Sequence, residues 1–342
     1  MDIVTQGVLG AALAQSAAKK EHVRLATIIG LVAGVIADAD ILIRSASDPL
    51  LSLEFHRHFT HSIFFIPFGA AIAFLLLWPF LRNKLSAACL YLYCFMGFSL
   101  SGFIDACTSY GTYLLWPLID ERISWHIISI VDPVFTITLI AAIVIGYKKT
   151  SSNFSRIGLV LAGFYLLFTF SQMHRAEKSI IDLAAQRGHT IEKIIVKPTI
   201  GNALLWRSVY LSNDTFYVDA VRAGLSKRIY QGDSIKQFNM AETFPELDTN
   251  SLLAEDIQRF EIFSDNYVSQ YPGRPEILGD VRYSMNPIGI KPLWGIEMNL
   301  DDTSQHVKFD NYRDASKVIK QKFINMLLNR TIKEERLSED AL

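Results

Sequence analysis

The sequence predicts an α-helical multi-pass membrane domain of about six helices, followed by a small soluble α/β (α+β) domain. Two observations lead to this fold class. Apolar runs long enough to cross a bilayer, which takes about 17–25 helical residues, are concentrated in the first half of the chain. Further on, charged and polar residues interleave with short apolar runs, as in a water-soluble domain. We therefore predict a transmembrane helical domain at 1–173 and a soluble domain at 174–342.

Six apolar runs are predicted to span the membrane. They cover 3–18, 25–43, 62–81, 85–104, 127–147 and 157–173. The first run is short and carries Thr5 and Gln6, so a re-entrant segment is the alternative there. No basic residue precedes this run, which is not the pattern of a cleaved signal peptide. We expect the segment to be retained.

Basic residues in the short loops predict the orientation. One set of loops carries most of them: Lys19, Lys20, Arg24, Arg82, Lys84, Lys148, Lys149 and Arg156. The opposite set offers Arg44, Arg57 and Arg122. By the positive-inside rule the first set faces the cytoplasm. The second set and the C-terminal domain then face the periplasm or the cell exterior.

Charge and cysteine usage exclude other classes of protein. The formal net charge is −1, and without a basic field we expect no nucleic-acid binding. Cys89, Cys94 and Cys107 lie in or beside membrane segments without metal-binding spacing, so we interpret them as apolar packing residues. The C-terminal domain has no cysteine and hence no disulfide framework.

Three separate stretches bring polar side chains to the predicted outer surface. The stretch "VIADADIL" carries Asp38 and Asp40, and "FHRHFTHS" carries His56, Arg57, His58, Thr60 and His61. The third, 101–133, holds Asp105, His126 and Asp132. An unpaired carboxylate such as Asp105 at the end of an apolar run is costly. Carboxylates with imidazoles suit Zn²⁺, Mn²⁺ or Fe²⁺, and carboxylates alone suit Mg²⁺ or Ca²⁺. The convergence favours a metal or catalytic site over isolated helix caps.

Local spacing leaves alternatives open. In a continuous helix the side chains of Asp38 and Asp40 would point about 200° apart. Both could face one metal only if the helix ends there and the chain is extended. Otherwise one is a ligand and the other supports it. Thr60 or Ser62 is predicted to cap the following helix. Asp132, directly before Pro133, is expected to begin another helix.

Several stretches resemble the membrane-bound metal-dependent hydrolases of the bacterial inner (cytoplasmic) membrane, the YdjM-like family (DUF457). They are "MDIVTQGVLGAA", "ADADIL", "FHRHFTHS" and "DACTSYGTYLLWPL…ISIVDP", with a weaker match at "PTIGNALLWRSVY". The polar signature of the family is matched by Asp38, Asp40, His56, His61 and Asp105.

Two positions depart from the family pattern. Many members have histidines where this chain has Gln6 and Ser101. The second difference removes a candidate ligand, which His126 or His58 could replace. Weak metal binding, a different metal or loss of activity are the alternatives that follow.

The resemblance implies a metal-dependent hydrolase. We predict that Asp38, His56, His61 and Asp105 hold a divalent metal, Zn²⁺ first, with Mn²⁺ and Mg²⁺ as alternatives. Asp40 would act as general base or orienting residue, and the planar fork of Arg57 would bind a phosphate.

The predicted partners are the lipid bilayer and a small-molecule or lipid substrate, a phosphoester or lipid-linked compound, because the site opens at headgroup level. The alternative is a non-enzymatic membrane protein: an ion-binding transporter or sensor, or a degenerate hydrolase scaffold. No feature of the sequence sets the oligomeric state.

The soluble domain is predicted to begin with a helix at 175–188 that ends at Gly188. Strands are expected at 191–197, 204–211, 214–222, 280–285 and 292–299, and an amphipathic helix at 313–329. We interpret the aromatics Trp206, Tyr210, Phe216 and Tyr217 as core or interface residues. This domain is expected to cover the membrane site or to select the substrate.

Overall fold

The computed structural model describes residues 1–224 and 226–330. The chain forms two compact units. One comprises Met1–His174 with Lys197–Ala203, and the other comprises Arg175–Val196 with the chain from Leu204 onward.

The first unit is helical. Its helices are α1 (Ile3–Ala17), α2 (Val23–Ile36), α3 (Leu51–Phe55), α4 (Ile66–Leu81), α5 (Ala87–Phe98), α6 (Ser101–Ala106), α7 (Pro133–Lys149) and α8 (Asn153–Gln186), the last running on into the second unit.

Three to four candidate membrane spans are found among the described residues. Three helical segments are long and apolar enough to cross a bilayer: Lys20–Leu42, Ala87–Ala106 and Asn153–Gln186. A fourth results if Leu51–His61 and Ile66–Leu81, which meet at a bend of 90°, form one span. Helices α1 and α7, with 15 and 17 residues, are shorter than these three segments. The number of about six spans stays a prediction.

Of two helix N-caps predicted from the sequence, the structure has one and lacks the other. The Asp132 carboxylate accepts a hydrogen bond from the Phe135 N–H, and Pro133 is the first residue of α7, which confirms that prediction. The predicted cap at Thr60 or Ser62 is wrong, because α4 begins only at Ile66 without a side-chain cap. The Thr60 hydroxyl donates instead to Asp40, and that of Ser62 to the Trp116 carbonyl.

Glycines bring the backbones of α1, α2 and α5 into contact. A Cβ atom on Gly10 would meet the carbonyl oxygens of Gly30 and Gly97. On Gly34 it would lie 2.6 Å from the Gln6 carbonyl oxygen. Close approach at small residues is a usual way for membrane helices to associate. It places the start of α1 beside the end of α2, where the polar side chains converge.

A buried glutamine joins four helices near the other end of α1. The Gln15 amide donates to Thr27 Oγ1 at 2.7 Å and to the Ile143 carbonyl at 3.1 Å, and its oxygen accepts from the Ser155 hydroxyl. Gln15 is fully buried. These bonds link α1, α2, α7 and α8.

We expect Gln15→Met to destabilise the helical unit by about 1–3 kcal/mol, because it leaves buried polar partners without hydrogen bonds. Thermal unfolding in detergent measures this effect. Gln186→Met, at an exposed position near the end of α8, is the control. Equal unfolding temperatures for the two variants would contradict the prediction.

Among its described residues, the C-terminal part of the chain after α8 contains antiparallel sheets and three helices. One sheet has the order β1-β2-β3-β4 and the other β5-β6-β7-β8. The strands are β1 (Lys193–Pro198), β2 (Leu205–Ser212), β3 (Thr215–Ala223), β4 (Lys227–Lys236), β5 (Val268–Tyr271), β6 (Arg274–Asp280), β7 (Trp294–Glu297) and β8 (Lys308–Asn311). The helices are α9 (Met240–Thr243), α10 (Leu252–Phe263) and α11 (Lys317–Leu327).

Most predicted elements of this part correspond to observed ones, with two corrections. The helix predicted at 175–188 is the end of the 34-residue helix α8, because neither glycine nor proline interrupts the chain between 164 and 187. The strand predicted at 280–285 is wrong, since β6 ends at Asp280. The Arg207 guanidinium donates hydrogen bonds to the carbonyl oxygens of Val281 and Arg282. These oxygens therefore bind a side chain and not a neighbouring strand.

The aromatic residues singled out in the sequence lie mainly in the core. Trp206, Tyr210 and Phe216 are fully buried, which confirms that interpretation for these three. Tyr217 is half-buried and its ring lies 4.2 Å from that of His189.

Candidate metal site

The candidate site forms where three elements of the helical unit end. The first is a 3-10 turn, Ala37–Leu42, that follows α2, and the second is a 3-10 turn, Phe59–His61, in the histidine stretch. The third is the last turn of α6, which carries Asp105. The side chains of Asp38, Asp40, His61 and Asp105 are brought together there.

The His61 ring lies at the centre of this group. Its Nε2 atom is 3.2 Å from Asp38 Oδ1 and 3.0 Å from Asp105 Oδ2. One ligand atom from each of these three residues lies within 4.8 Å of the others. His61 and Asp105 are almost completely buried, with 1% and 0% exposure. The three residues form a compact set of one nitrogen and two oxygen donors.

The other nitrogen of His61 faces the second aspartate. Nδ1 lies 3.3 Å from Asp40 Oδ2 and 3.0 Å from Thr60 Oγ1. The 3-10 turn thus places Asp38 and Asp40 on opposite sides of the same ring. A proton on Nδ1 leaves the lone pair of Nε2 facing Asp38 and Asp105. In that tautomer Nε2 is free to bind a metal.

Asp40 accepts hydrogen bonds from several donors besides His61. They are the Arg57 N–H at 2.8 Å, the Thr60 hydroxyl at 2.7 Å and His56 Nδ1 at 3.1 Å. Arg57 has a φ of 59°, a left-handed conformation that is uncommon outside glycine and often occurs at functional sites. This turn lets its N–H and the neighbouring His56 ring face the same carboxylate.

The Arg57 side chain holds the third carboxylate. Nη1 lies 3.4 Å from Asp105 Oδ1 and 3.3 Å from Thr108 Oγ1, and Nη2 donates to the Met1 carbonyl at 2.9 Å. Only 4% of Arg57 is exposed. Both terminal nitrogens are therefore engaged inside the protein.

The two positions that depart from the family pattern lie beside Asp105. The Gln6 amide donates to Asp105 Oδ2 at 2.9 Å and to the Ser101 carbonyl at 3.3 Å. The Ser101 hydroxyl donates to the Phe98 carbonyl at 2.9 Å. The Ser101 side chain therefore does not point at Asp38, His61 and Asp105. The Met1 amino group also contacts Asp105.

The other histidines of the predicted site lie outside the three-residue group. His56 is bonded to Asp40, and the His58 ring lies 4.3 Å from that of Tyr113. His126 Nε2 lies 3.5 Å from the Ser124 hydroxyl. Of the four predicted ligands, the structure gathers Asp38, His61 and Asp105.

Three supporting residues were missed in these roles from the sequence. Thr60 bridges Asp40 and His61, Thr108 contacts Arg57, and the Thr112 hydroxyl donates to the Arg57 carbonyl at 2.8 Å. Isolated threonines have no distinctive spacing. The one signal is their position inside or next to the polar motifs.

The donor set fits a divalent metal. Ligands about 2.0–2.2 Å from a metal, at tetrahedral or octahedral angles, lie about 3.0–3.5 Å from each other. The distances of 3.0 and 3.2 Å around His61 Nε2 agree with this range. A histidine ligand usually donates its second N–H to a carboxylate or another oxygen, and Asp40 and Thr60 are placed to accept it.

Comparison with known proteins identifies the family. The family model described as "YdjM inner membrane protein" matches residues 1–176, the range that contains every residue of the site. An uncharacterized protein of Bacillus subtilis (strain 168), YfhP, is 28% identical over 230 residues, which cover 64% of this chain and 67% of that protein. No solved structure matches the chain. The chain belongs to the YdjM inner membrane protein family, in agreement with its candidate membrane spans.

Proposed function

We propose that this protein is a metal-dependent hydrolase of the bacterial inner membrane. Asp38, His61 and Asp105 would hold the ion, Zn²⁺ first, with Mn²⁺ and Mg²⁺ as alternatives. The observation that carries the proposal is the meeting of their three ligand atoms within 4.8 Å in a buried position. When bound, the metal supplies a Lewis acid that makes water nucleophilic near neutral pH.

The surrounding residues would keep these donors in place. Asp40 and Thr60 orient His61 through Nδ1, and Gln6 and Arg57 hold Asp105. Arg57 was predicted to bind a substrate phosphate. Since both of its terminal nitrogens are engaged by the protein, we assign it instead to positioning Asp105.

We further propose six membrane spans with the site at the outer surface. Basic residues lie at the other end of the bundle, where Arg24 Nε donates to the Tyr147 carbonyl and Arg156 Nε to the Ser16 carbonyl. Ser16 is ten residues from Gln6 along α1, about 15 Å at 1.5 Å per residue. By the positive-inside rule the basic end is cytoplasmic. The site and the C-terminal domain then face the periplasm.

The proposed substrate is a phosphoester or lipid-linked compound. Asp38 and Asp105 lie in the last turns of two candidate spans, Lys20–Leu42 and Ala87–Ala106. A site at that depth is next to the polar headgroups of the bilayer. The C-terminal domain would select the substrate.

Metal content tests the proposal. We expect wild-type protein purified in detergent and loaded with Zn²⁺ or Mn²⁺ to contain about one ion per chain by mass spectrometry. His61→Ala and Asp105→Ala should lose it, because each removes one of three donors. His58→Ala, from the same stretch but outside the group, should retain it. Wild-type protein without metal after both loadings would reject the proposal.

The second candidate function is non-enzymatic, and one observation favours it. The distances from the His61 ring to Asp38, Asp40 and Asp105 are also those of direct hydrogen bonds and ion pairs. The cluster would then be a buried ion-pair network of a scaffold, or the ion site of a transporter or sensor. A scaffold remains metal-free under loading, whereas an ion-binding protein takes up the ion without hydrolysing esters.

A further inference from the structure

The two oxygens of Asp40 hold two different histidines. Oδ1 lies 3.1 Å from His56 Nδ1, and Oδ2 lies 3.3 Å from His61 Nδ1. The side chains of Asp40 and His61 are fully buried, whereas 26% of the His56 side chain is exposed. One carboxylate therefore fixes a buried imidazole, that of His61, next to a partly exposed one, that of His56.

The imidazole rings of His56 and His61 point in different directions, which indicates different roles for the two residues. Because each ring meets Asp40 through Nδ1, its Nε2 atom lies on the side of the ring away from that carboxylate. In His61 this atom faces Asp38 and Asp105. His56 is not part of that ligand group, and its ring is partly open to the outside.

Other contacts fix the position of His56. Its ring packs edge-on against Tyr110 at 5.4 Å between centroids, and its carbonyl accepts from Arg122 Nη2 at 3.4 Å. The guanidinium of Arg122 also lies 4.7 Å from the centre of the Tyr110 ring. A histidine oriented by a carboxylate at Nδ1, with Nε2 directed elsewhere, is the arrangement used for proton transfer in hydrolases.

We propose that His56 is the proton-transfer residue of the hydrolytic reaction and not a metal ligand, an inference that rests on the proposed function. The oxygen of water bonds to the phosphorus of a phosphoester, and the bond from phosphorus to the leaving oxygen breaks. The leaving oxygen takes the proton from His56 Nε2. The imidazole is then reprotonated by the proton that the attacking water releases, so water and ester give acid and alcohol.

Metal content and leaving-group dependence together test this role. The variants are His56→Ala and His56→Asn, whose amide can still donate to Asp40 but cannot transfer a proton. His61→Ala and His58→Ala are the matched comparisons. Each protein is loaded with Zn²⁺ and assayed with a p-nitrophenyl and an alkyl ester of the same phosphate, as monoesters and as diesters.

We expect both His56 variants to bind as much metal as wild type, while His61→Ala loses it. Hydrolysis of the alkyl ester should fall by about 10²–10⁴-fold, the usual contribution of general acid–base catalysis. Hydrolysis of the p-nitrophenyl ester should fall much less, because that leaving group departs without a proton. His58→Ala should behave as wild type in each assay.

Three results would overturn the inference. Metal loss in both His56 variants would make His56 a ligand. Equal losses for the two kinds of ester would exclude protonation of the leaving group, and wild-type rates in the variants would exclude any role. These results leave the proposed function standing. A wild-type protein that binds no metal or hydrolyses none of the esters would reject the proposed function and this inference together.

Discussion

Replacing Asp40 by asparagine is expected to weaken metal binding by about 10–100-fold, the usual effect of losing a residue that orients a ligand. Asp40 itself is not one of the three proposed donors. Its carboxylate accepts from the Arg57 N–H, the Thr60 hydroxyl, His56 and His61. Asparagine replaces one carboxylate oxygen, a hydrogen-bond acceptor, by an NH2 group, a donor. That NH2 group would then face side chains and an N–H that are themselves donors.

The same change should also lower the stability of the helical unit. Asp40 is 3% exposed, and breaking a buried, charged hydrogen-bond network costs about 3–5 kcal/mol. Metal titration and thermal unfolding in detergent measure the two effects separately. Asp120→Asn is the matched control, because 80% of the Asp120 side chain is exposed, 3.9 Å from His58. Wild-type values for Asp40→Asn in both measurements would show that this carboxylate orients nothing.

The candidate site could be predicted in outline from the sequence. Asp38, His61 and Asp105 are separated by many residues, yet the apolar runs and the charge bias of the loops predict that their stretches lie at the same membrane surface. Helical periodicity also left two alternatives for Asp38 and Asp40. In the structure they face opposite nitrogens of His61, which favours one ligand and one supporting residue.

The contacts of His56 and Arg57 could not be predicted from spacing. His56 is five residues from His61, a separation that does not fix ring directions outside a regular helix. The left-handed backbone at Arg57 turns His56 toward Asp40. The Arg57 side chain itself points into the protein, where it contacts Asp105, Thr108 and Met1. Such a turn at a non-glycine residue has no local sequence signal.

The same limit applies to the sheets. β2, β3 and β7 contain apolar and aromatic residues that the pattern identifies. β4 contains Lys227, Arg228, Gly232 and Asp233 and has no apolar alternation. It forms because β3 offers an antiparallel edge, paired from Thr215 opposite Lys236 to Ala223 opposite Lys227. Pairing with the preceding strand, not the propensity of its own residues, determines this strand.

Helix packing gives the second large expected effect. Gly30→Ala should destabilise the helical unit by at least about 1–3 kcal/mol, the usual cost of overpacking. A Cβ atom on Gly30 would meet the Gly10 carbonyl oxygen, and would lie 2.5 Å from Ala14 Cβ and 2.9 Å from the Gly10 carbonyl carbon. These are mostly backbone atoms, so α1 and α2 must separate to make room. The separation would also shift the start of α1, where Gln6 holds Asp105.

Gly163→Ala is the control that separates packing from helix propensity. Gly163 lies in α8, and a Cβ atom there would meet no atom of the described residues within 4 Å outside the adjacent turns of its own helix. Alanine is favoured over glycine inside a helix by about 0.5–1 kcal/mol, so this variant should be neutral or slightly more stable in thermal unfolding. If Gly30→Ala unfolds at the same temperature as Gly163→Ala, close backbone contact does not hold α1 against α2. A lower unfolding temperature for Gly30→Ala, together with weaker metal binding, would show that this contact also supports the site through Gln6.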